Sequence, residues 1–233
     1  KSSAASDVYK RQLLDKKMFW EGKSVKHETL QQMTAMQADI IMMMANLIEG
    51  RDGTTGEHVK RASIYVNMLL NRLVEKGIYK EELDSVTTEY IRNAAPLHDI
   101  GKITITDIIL QKPASLTQEE YDIMKHHSAE GGRLIRENMG RLADRRFVEI
   151  AANMASYHHE KWNGSGYPDG LKGLQIPLEA RIMAVADVFD ALVSKRQYKE
   201  KMSLEQAFAI LLEERGVGLE PVLVDTFLEL EDE

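Results

Sequence analysis

Apolar and polar positions along most of the chain follow the period of an amphipathic helix. Between Glu57 and Lys76 apolar residues recur at three- and four-residue steps, and the run stops at Gly77, a residue type that often ends helices. The same pattern predicts further helices over 81–97, 117–138, 145–158, 178–192, 204–215 and 221–230. Thr117 and Glu120 have the spacing of a capping box at the start of one of them. Since strand signals are scarce, the sequence predicts an all-α fold.

A leading helix is predicted from Leu13 to about Glu49. Its apolar stripe has two interpretations: a short coiled coil that dimerises and joins an upstream domain, or the first helix of the core. The stripe consists of Met33, Met36, Ile40, Met43 and Leu47. Because five positions make fewer than three heptads, we expect the part after Met36 to face the core and the other end to serve as linker or dimer contact.

Composition limits the classes of protein to consider. A chain of 233 residues with 43% hydrophobic content can bury one core, which suits one domain plus an attached helix. Cysteine is absent, which restricts metal ligands to nitrogen and oxygen and is typical of a cytoplasmic protein. No apolar run is long enough to span a bilayer, and a net charge of −7 argues against broad nucleic-acid binding. We therefore expect a cytoplasmic protein without a membrane or DNA partner.

Histidines and aspartates form an ordered set that is suited to metal binding. Five of the seven histidines and two aspartates belong to it: His58, His98, Asp99, His127, His158, His159 and Asp187. Neutral imidazoles and carboxylates bind divalent transition metals, and one carboxylate can bridge two ions. The set is therefore sufficient for a dinuclear hydrolytic centre.

Two short blocks within this set resemble a known family. The block from His98 to Lys102 and the block from Gly166 to Pro168 are similar to the two signatures of the HD-GYP family of bacterial cyclic di-GMP phosphodiesterases. The similarity runs from about Glu49 to Phe227. It implies an HD-superfamily helical bundle, preceded here by the leading linker helix.

The resemblance also implies a set of metal ligands. One ion would be bound by His58, His98, Asp99 and Asp187, and the other by Asp99, His127, His158 and His159. Asp99 would bridge the two ions, which are commonly iron or manganese in the family. Thr54 stands where some members carry a glutamate for a third metal, and this departure favours two divalent ions.

Further residues are implied to act on the substrate. Asp99 and Lys102 would be catalytic, with Lys102 contacting the scissile phosphate. Gly166 and Tyr167 would border the nucleotide, and Arg196 and Lys199 would meet guanine edges or phosphates. Three neighbouring residues are expected to have supporting roles. His126 is expected either at the surface or as a support beside the ligands, Asp190 as a hydrogen-bond acceptor for a ligand histidine or Arg196, and Glu49 either to orient its neighbours or to cap the helix of His58.

These implications predict an enzyme that hydrolyses cyclic di-GMP in bacterial second-messenger signalling, with either pGpG or GMP as the end product. The alternatives are a catalytically silent receptor or protein-interaction module, and an enzyme for mixed cyclic GMP-AMP. Residues 1–12 are predicted to be a non-native or disordered leader, 13–48 a linker or signalling helix, and 49–233 the phosphodiesterase domain. We expect a receiver or sensor domain upstream of the leading helix, and the helix offers a homodimer contact.

Overall fold

The computed structural model describes residues 35–52, 57–140, 143–194 and 202–231. The chain divides into two units, Lys1–Ile40 and Ile41–Glu233. Only residues 35–40 of the first unit are described, and they are helical with exposed side chains. The apolar core lies in the second unit. The predicted leader at 1–12 and most of the predicted linker lie outside the described residues, and the predicted domain division stays a prediction.

The fold is all-α, as predicted. The described helices are α1 (35–49), α2 (Glu57–Glu75), α3 (Ser85–Ala94), α4 (Asp107–Leu110), α5 (Gln118–Met139), α6 (Arg145–Tyr157), α7 (Leu178–Val193), α8 (Leu204–Glu214) and α9 (Pro221–Leu228). Short 3₁₀ segments connect them: η1 (Gly50–Asp52), η2 (Ala95–Leu97), η3 (Ile100–Thr104) and η4 (Gly173–Gln175). Within the described ranges there is no strand, only one bridge between Arg215 and Leu219. None of these helices combines the length and apolar character needed to cross a membrane.

One apolar core contains side chains from α2, α3, α6, α7, α8 and α9. Its largest fully buried side chains include Leu69 and Leu70 of α2, Met154 of α6 and Ile182 of α7. Burial of each such side chain stabilises the fold by about 1.5–3 kcal/mol. Helix α5 packs along α6 and against η3. This packing brings the middle of α5, the end of α6 and the turn before η3 to one place.

Local signals for helix ends were largely correct. Helix α2 ends before Gly77, which has a φ of +66°, and the capping box of Thr117 with Glu120 is present. The prediction over 81–97 was wrong at both ends. Helix α3 begins at Ser85, because the Asp84 side chain accepts a hydrogen bond from the Thr87 amide at 2.7 Å. It changes to 3₁₀ geometry after Ala94 because Pro96 has no amide hydrogen to continue the helix.

The predicted inward face of the leading helix is wrong. Met36, Ile40, Met43 and Leu47 are 63%, 40%, 55% and 67% exposed, and Met33 lies outside the described residues. In the second unit α1 instead buries Ala45 and Ile48, and Ile41 packs against the core. The apolar pattern alone could not choose between the two faces, because both carry apolar residues at helical spacing.

Candidate metal centre

Five elements bring together the residues of the predicted metal centre. The contributions are His58 from the first turn of α2, His98 and Asp99 from the turn between η2 and η3, His127 from α5, His158 and His159 from the end of α6, and Asp187 from α7. They form two groups. Asp99, His127, His158 and His159 make one, and His58, His98 and Asp187 make the other. Within each group one ligand atom per residue lies within 4.8 Å of all the others.

Asp99 lies between the two groups. Its Oδ1 atom is 3.3 Å from Nε2 of His127 and 3.7 Å from Nε2 of His158. Its Oδ2 atom is 3.5 Å from Nε2 of His98, which belongs to the other group. A carboxylate whose two oxygens face different groups has the arrangement that a bridging ligand requires.

Three of the histidines are oriented by backbone carbonyls of their own preceding turn. Nδ1 of His98 lies 2.9 Å from the Ala95 oxygen, Nδ1 of His127 lies 2.7 Å from the Met124 oxygen, and Nδ1 of His158 lies 3.0 Å from the Ala155 oxygen. A carbonyl oxygen can only accept, so Nδ1 must carry the proton in each ring. The Nε2 atom then keeps a free lone pair, and all three lone pairs point into the centre.

His58 is oriented by a side chain instead. Its Nδ1 donates to Oδ2 of Asp190 at 2.7 Å, while its Nε2 lies 3.3 Å from Nε2 of His98 and 3.5 Å from Oδ1 of Asp187. Asp190 also accepts a hydrogen bond from Nε of Arg61 at 2.5 Å. The predicted acceptor role of Asp190 toward a histidine is confirmed, but the arginine is Arg61. Sequence reasoning gave Arg61 no role, although its position three residues after His58 on one helix was an available signal.

The polar atoms of the centre fit divalent cations. Oδ1 of Asp99 and Nε2 of His127 and His158 are buried and make no hydrogen bond to any described residue. Such atoms are costly to bury unless something binds them. Two nitrogens bound to one ion at about 2.1 Å each lie about 3.0–3.4 Å apart, which the His58–His98 separation of 3.3 Å matches. These residues can therefore hold metal ions.

Burial and neighbouring charges set the protonation of these groups. Burial lowers the pKa of His158 to about 4, and the adjacent His98 contributes in the same direction. Burial likewise lowers the pKa of His159 well below its usual value, with His158 adding to the effect. Burial alone would raise the pKa of Asp99, but Lys102 and His98 lower it well below the usual value. Neutral imidazoles around an ionised carboxylate are the forms that bind metals.

The turn that carries Asp99 depends on a glycine. A Cβ atom at Gly101 would lie 1.9 Å from the His127 carbonyl oxygen and 2.6 Å from the Gly131 amide nitrogen. The absence of a side chain therefore lets η3 contact the backbone of α5. That contact places Asp99 beside His127.

Lys102 reaches the same carboxylate. Its Nζ atom lies 2.8 Å from Oδ2 of Asp99, and its side chain is 17% exposed. Sequence reasoning placed Lys102 one α-helical turn after His98. The segment is 3₁₀ instead, with the Lys102 amide donating to the Asp99 carbonyl at 3.0 Å, and the side chain still turns toward the centre.

The loop of the second signature lies against the group of candidate ligands that contains His159. The Tyr167 ring is 4.8 Å from the His159 ring, and burial raises the pKa of Tyr167, with Tyr121 adding to the effect. A Cβ atom at Gly166 would lie 2.3 Å from the Lys161 amide nitrogen, so the loop folds closely onto the chain that follows His159. Oε1 of the buried Glu160 accepts a hydrogen bond from the Asp169 amide at 2.8 Å. These contacts fix the loop beside the centre.

A cavity of about 300 Å³ lies between this loop and α5. It is lined by Asp122, Lys125, His126, Ala129, Tyr167 and Pro168. His126 is exposed, as predicted, and faces the cavity rather than either group of ligands. The predicted substrate contacts Arg196 and Lys199, and Thr54, lie outside the described residues.

Comparison with known proteins gives a consistent result. The family model described as an HD domain matches residues 29–222. The chain is 46% identical over 195 residues to a "Probable cyclic di-GMP phosphodiesterase" of Vibrio cholerae. The aligned region covers 83% of this chain and 44% of that protein. The chain is 40% identical over 195 residues to a "3'3'-cGAMP-specific phosphodiesterase 2" of the same species, covering 84% of this chain and 35% of that protein. The chain thus spans less than half the length of these two curated relatives.

The fold also matches a solved structure. A crystal structure of the cyclic GMP-AMP phosphodiesterase V-cGAP3 from Vibrio cholerae superposes with a TM-score of 0.59 at 20% identity. The match covers 84% of this chain and 48% of that one, and it shows a shared fold. With the family model spanning most of the chain and both signatures in place, the chain belongs to the HD-domain family, in its HD-GYP group.

Proposed function

We propose that this chain is a metal-dependent phosphodiesterase that hydrolyses cyclic di-GMP to pGpG and further to GMP. The observation that carries the proposal is the convergence of the Nε2 atoms of His98, His127 and His158 on the two oxygens of Asp99, with Nε2 of His58 3.3 Å from that of His98. The names of the Vibrio cholerae relatives support a cyclic dinucleotide as the substrate. The activity would serve bacterial second-messenger signalling.

The chain would hold two divalent ions. His58, His98, Asp99 and Asp187 would bind one, and Asp99, His127, His158 and His159 the other. Nitrogen and oxygen donors without thiolate suit iron or manganese. When bound, such ions activate water for attack on phosphorus and polarise the phosphodiester.

The chain's own residues would bind and orient the substrate. The Lys102 ammonium lies at the centre, 2.8 Å from Asp99, where it would stabilise negative charge that develops on the phosphate oxygens. Tyr167 lines the cavity beside His159, and Gly166 precedes it in the same loop, so a nucleobase would lie along the Tyr167 ring with Gly166 at its border. Arg196 and Lys199 are proposed to contact guanine edges or phosphates.

The direct test is turnover of cyclic di-GMP by the full chain loaded with Mn(II) or Fe(II), with products separated by chromatography. We expect metal-dependent formation of pGpG that His98→Ala and Asp99→Ala abolish. Lys102→Ala should lower kcat by about 100- to 1000-fold, because it removes a charge that acts on the transition state. Arg133→Ala is the control, since this exposed α5 side chain pairs with Glu130 and Glu137, does not line the cavity and belongs to neither group of ligands.

Two results would redirect the proposal. Two bound metals per chain without any turnover would indicate a cyclic-dinucleotide receptor instead of an enzyme. Faster turnover of 3'3'-cGAMP than of cyclic di-GMP would support the other substrate, which the name of the 40% identical relative makes the second candidate.

We also propose two features outside the centre. A receiver or sensor domain would precede the leading helix in the whole protein, in agreement with the greater length of the two relatives. The exposed apolar residues of α1 would contact a second copy of the chain, since Met43 and Leu47 are more than half exposed.

A further inference from the structure

The segment that follows α1 contacts two elements of the candidate metal centre. Glu49 is the last residue of α1, and Arg51 lies in η1 directly after it. Each makes hydrogen bonds to a segment that carries candidate ligands, α2 in one case and η3 in the other. The mechanism proposed above gives neither residue a role.

Arg51 binds the backbone of the turn that carries Lys102. Its Nη1 donates to the carbonyl oxygens of Lys102 at 3.3 Å and Ile103 at 3.1 Å, and its Nη2 donates to that of Ile105 at 3.1 Å. Nη2 also pairs with Asp107 at 2.7 Å. The contact is reciprocal, because the Gln111 side chain donates to the Arg51 carbonyl at 2.8 Å. One guanidinium therefore joins the end of η3 to the start of α4.

These contacts matter because η3 has weak means of holding its own shape. A 3₁₀ segment has poorer hydrogen-bond geometry than an α-helix, and the carbonyls at its end lack partners within the segment. The planar guanidinium supplies several donors in a fixed arrangement, which an ammonium group cannot reproduce. Since Asp99 and Lys102 lie at the start and middle of this turn, the position of its end sets theirs.

Glu49 performs a related function for the other group of ligands. Its buried carboxylate accepts a hydrogen bond from the Val59 amide at 3.2 Å, in the first turn of α2. His58 is the preceding residue, so of the two roles predicted for Glu49, orienting its neighbours or capping the helix of His58, this contact fits the cap. Segment 49–51 thus contacts the backbone beside both groups of ligands.

We propose that Arg51 is a positioning residue for Asp99 and Lys102, and that segment 49–51 transmits movements of α1 to the metal centre. The kinetic part rests on the proposed phosphodiesterase function, whereas the structural part does not. A shift at the end of α1 would move the guanidinium and the Glu49 carboxylate together. The centre would then respond to the leading helix without any change in its ligands.

The test compares four variants of the full, Mn(II)-loaded chain. Arg51→Ala should lower kcat for cyclic di-GMP by about 10- to 100-fold with little change in KM, because it misplaces a catalytic group without removing it. Arg51→Lys should give an intermediate loss. Asp107→Asn should stay close to wild type, since it removes the ion pair but keeps the carbonyl contacts. Arg146→Ala is the control: it removes an exposed ion pair with Asp84 at the start of α6, far along the helix from His158.

Hydrogen–deuterium exchange separates this inference from the proposed function. Arg51→Ala should speed exchange of amides in 102–110, including that of Ile105, which donates to the Lys102 carbonyl, and leave α6 unchanged. This result would support the inference even if the wild-type chain turned over no substrate. Unchanged exchange and kcat in Arg51→Ala, or full activity in Arg51→Lys, would overturn it. If Arg51→Ala failed to fold, the test would use Arg51→Lys and Asp107→Asn instead, with kcat and hydrogen–deuterium exchange measured for each.

Discussion

Gly101 is the residue at which the backbone geometry of the centre is most demanding. The His127 carbonyl and the Gly131 amide both occupy the space that a side chain would need. Neither atom can move without displacing α5, which also carries the candidate ligand His127. Packing at this residue and the geometry of the candidate ligands are therefore linked.

Replacing Gly101 with alanine should destabilise the protein and weaken metal binding together. Overpacking of this kind costs about 1–3 kcal/mol in the free energy of unfolding. Chemical denaturation and titration with Mn(II) measure the two effects. Gly50→Ala is the control, since a Cβ atom there meets no other atom within 4 Å. Wild-type stability and metal affinity in Gly101→Ala would contradict the described contact between η3 and α5.

At the residue scale the sequence predicted which side chains meet but not how they are oriented. The order of histidines and aspartates, with the two signatures, was enough to identify His58, Asp99 and His127 as candidates. The proton on each Nδ1 follows from the carbonyl that it faces, and that depends on local backbone geometry that composition does not encode. The partnership of Arg61 with Asp190 was missed because it joins α2 to α7, which are far apart in the chain.

At the scale of elements, a cluster of polar side chains connects α7 with the turn after α2 and the start of α9. Arg181 of α7 donates to Glu220 at 2.5 Å, and the Tyr79 hydroxyl also donates to Glu220. Tyr79 has a φ of +56°, a conformation that non-glycine residues rarely adopt. These hydrogen bonds hold Tyr79 in place and connect the turn after α2 with the start of α9.

Tyr79→Phe should change how stability depends on pH in the alkaline range. Burial and the hydrogen bond to Glu220 raise the pKa of Tyr79 to about 12, from about 10 in the unfolded chain. Because the folded state retains this proton longer, its contribution to stability is complete below pH 10 and is lost as the pH rises toward 12. Thermal unfolding of both proteins from pH 8 to 12 should show the wild-type advantage disappearing over this window. A constant difference in Tm would contradict the assignment.

The elements themselves were mostly predictable, and the exceptions have physical causes. Helices α5 to α9 came within two residues of the predicted ends, since caps and apolar spacing are local signals. The start of α3 was missed because Asp84 was not recognised as its cap. The segment from Ile103 to Leu110 forms 3₁₀ and α turns, and its buried residues Ile105, Ile109 and Leu110 make a small cluster that packs against Leu116 and Met124.

At the scale of the whole molecule, the exposed residues of α1 predict self-association. Met43 and Leu47 lie outward, and apolar residues at this spacing are typical of a coiled-coil seam. Light scattering should give a mass about twice the 26.5 kDa of one chain, and Leu47→Lys should restore the single-chain mass. Ile64→Lys is the control, because Ile64 is 54% exposed on α2 and should not affect association. A monomeric wild-type chain would reject this contact.

The fold class followed from periodicity, whereas the arrangement of helices followed only from resemblance to a family. Apolar spacing predicts helices but does not specify which of their faces meet, as the wrong face of α1 shows. Convergence of residues 58 to 187 on one centre depends on contacts between elements distant in the chain. Such contacts reflect the packing of the complete core and leave no local pattern.

The hydrogen bonds from three histidines to backbone carbonyls affect how this protein tolerates amino-acid substitutions. The acceptors that orient His98, His127 and His158 are main-chain atoms, so no exchange of a side chain elsewhere deletes them. His58 differs from these three histidines, because the group that orients it is a side chain, the carboxylate of Asp190, which a substitution can remove. Substitutions in the surrounding loops can therefore accumulate while the candidate ligands keep their orientation, and Asp190 is the position at which a substitution would first disturb one of them.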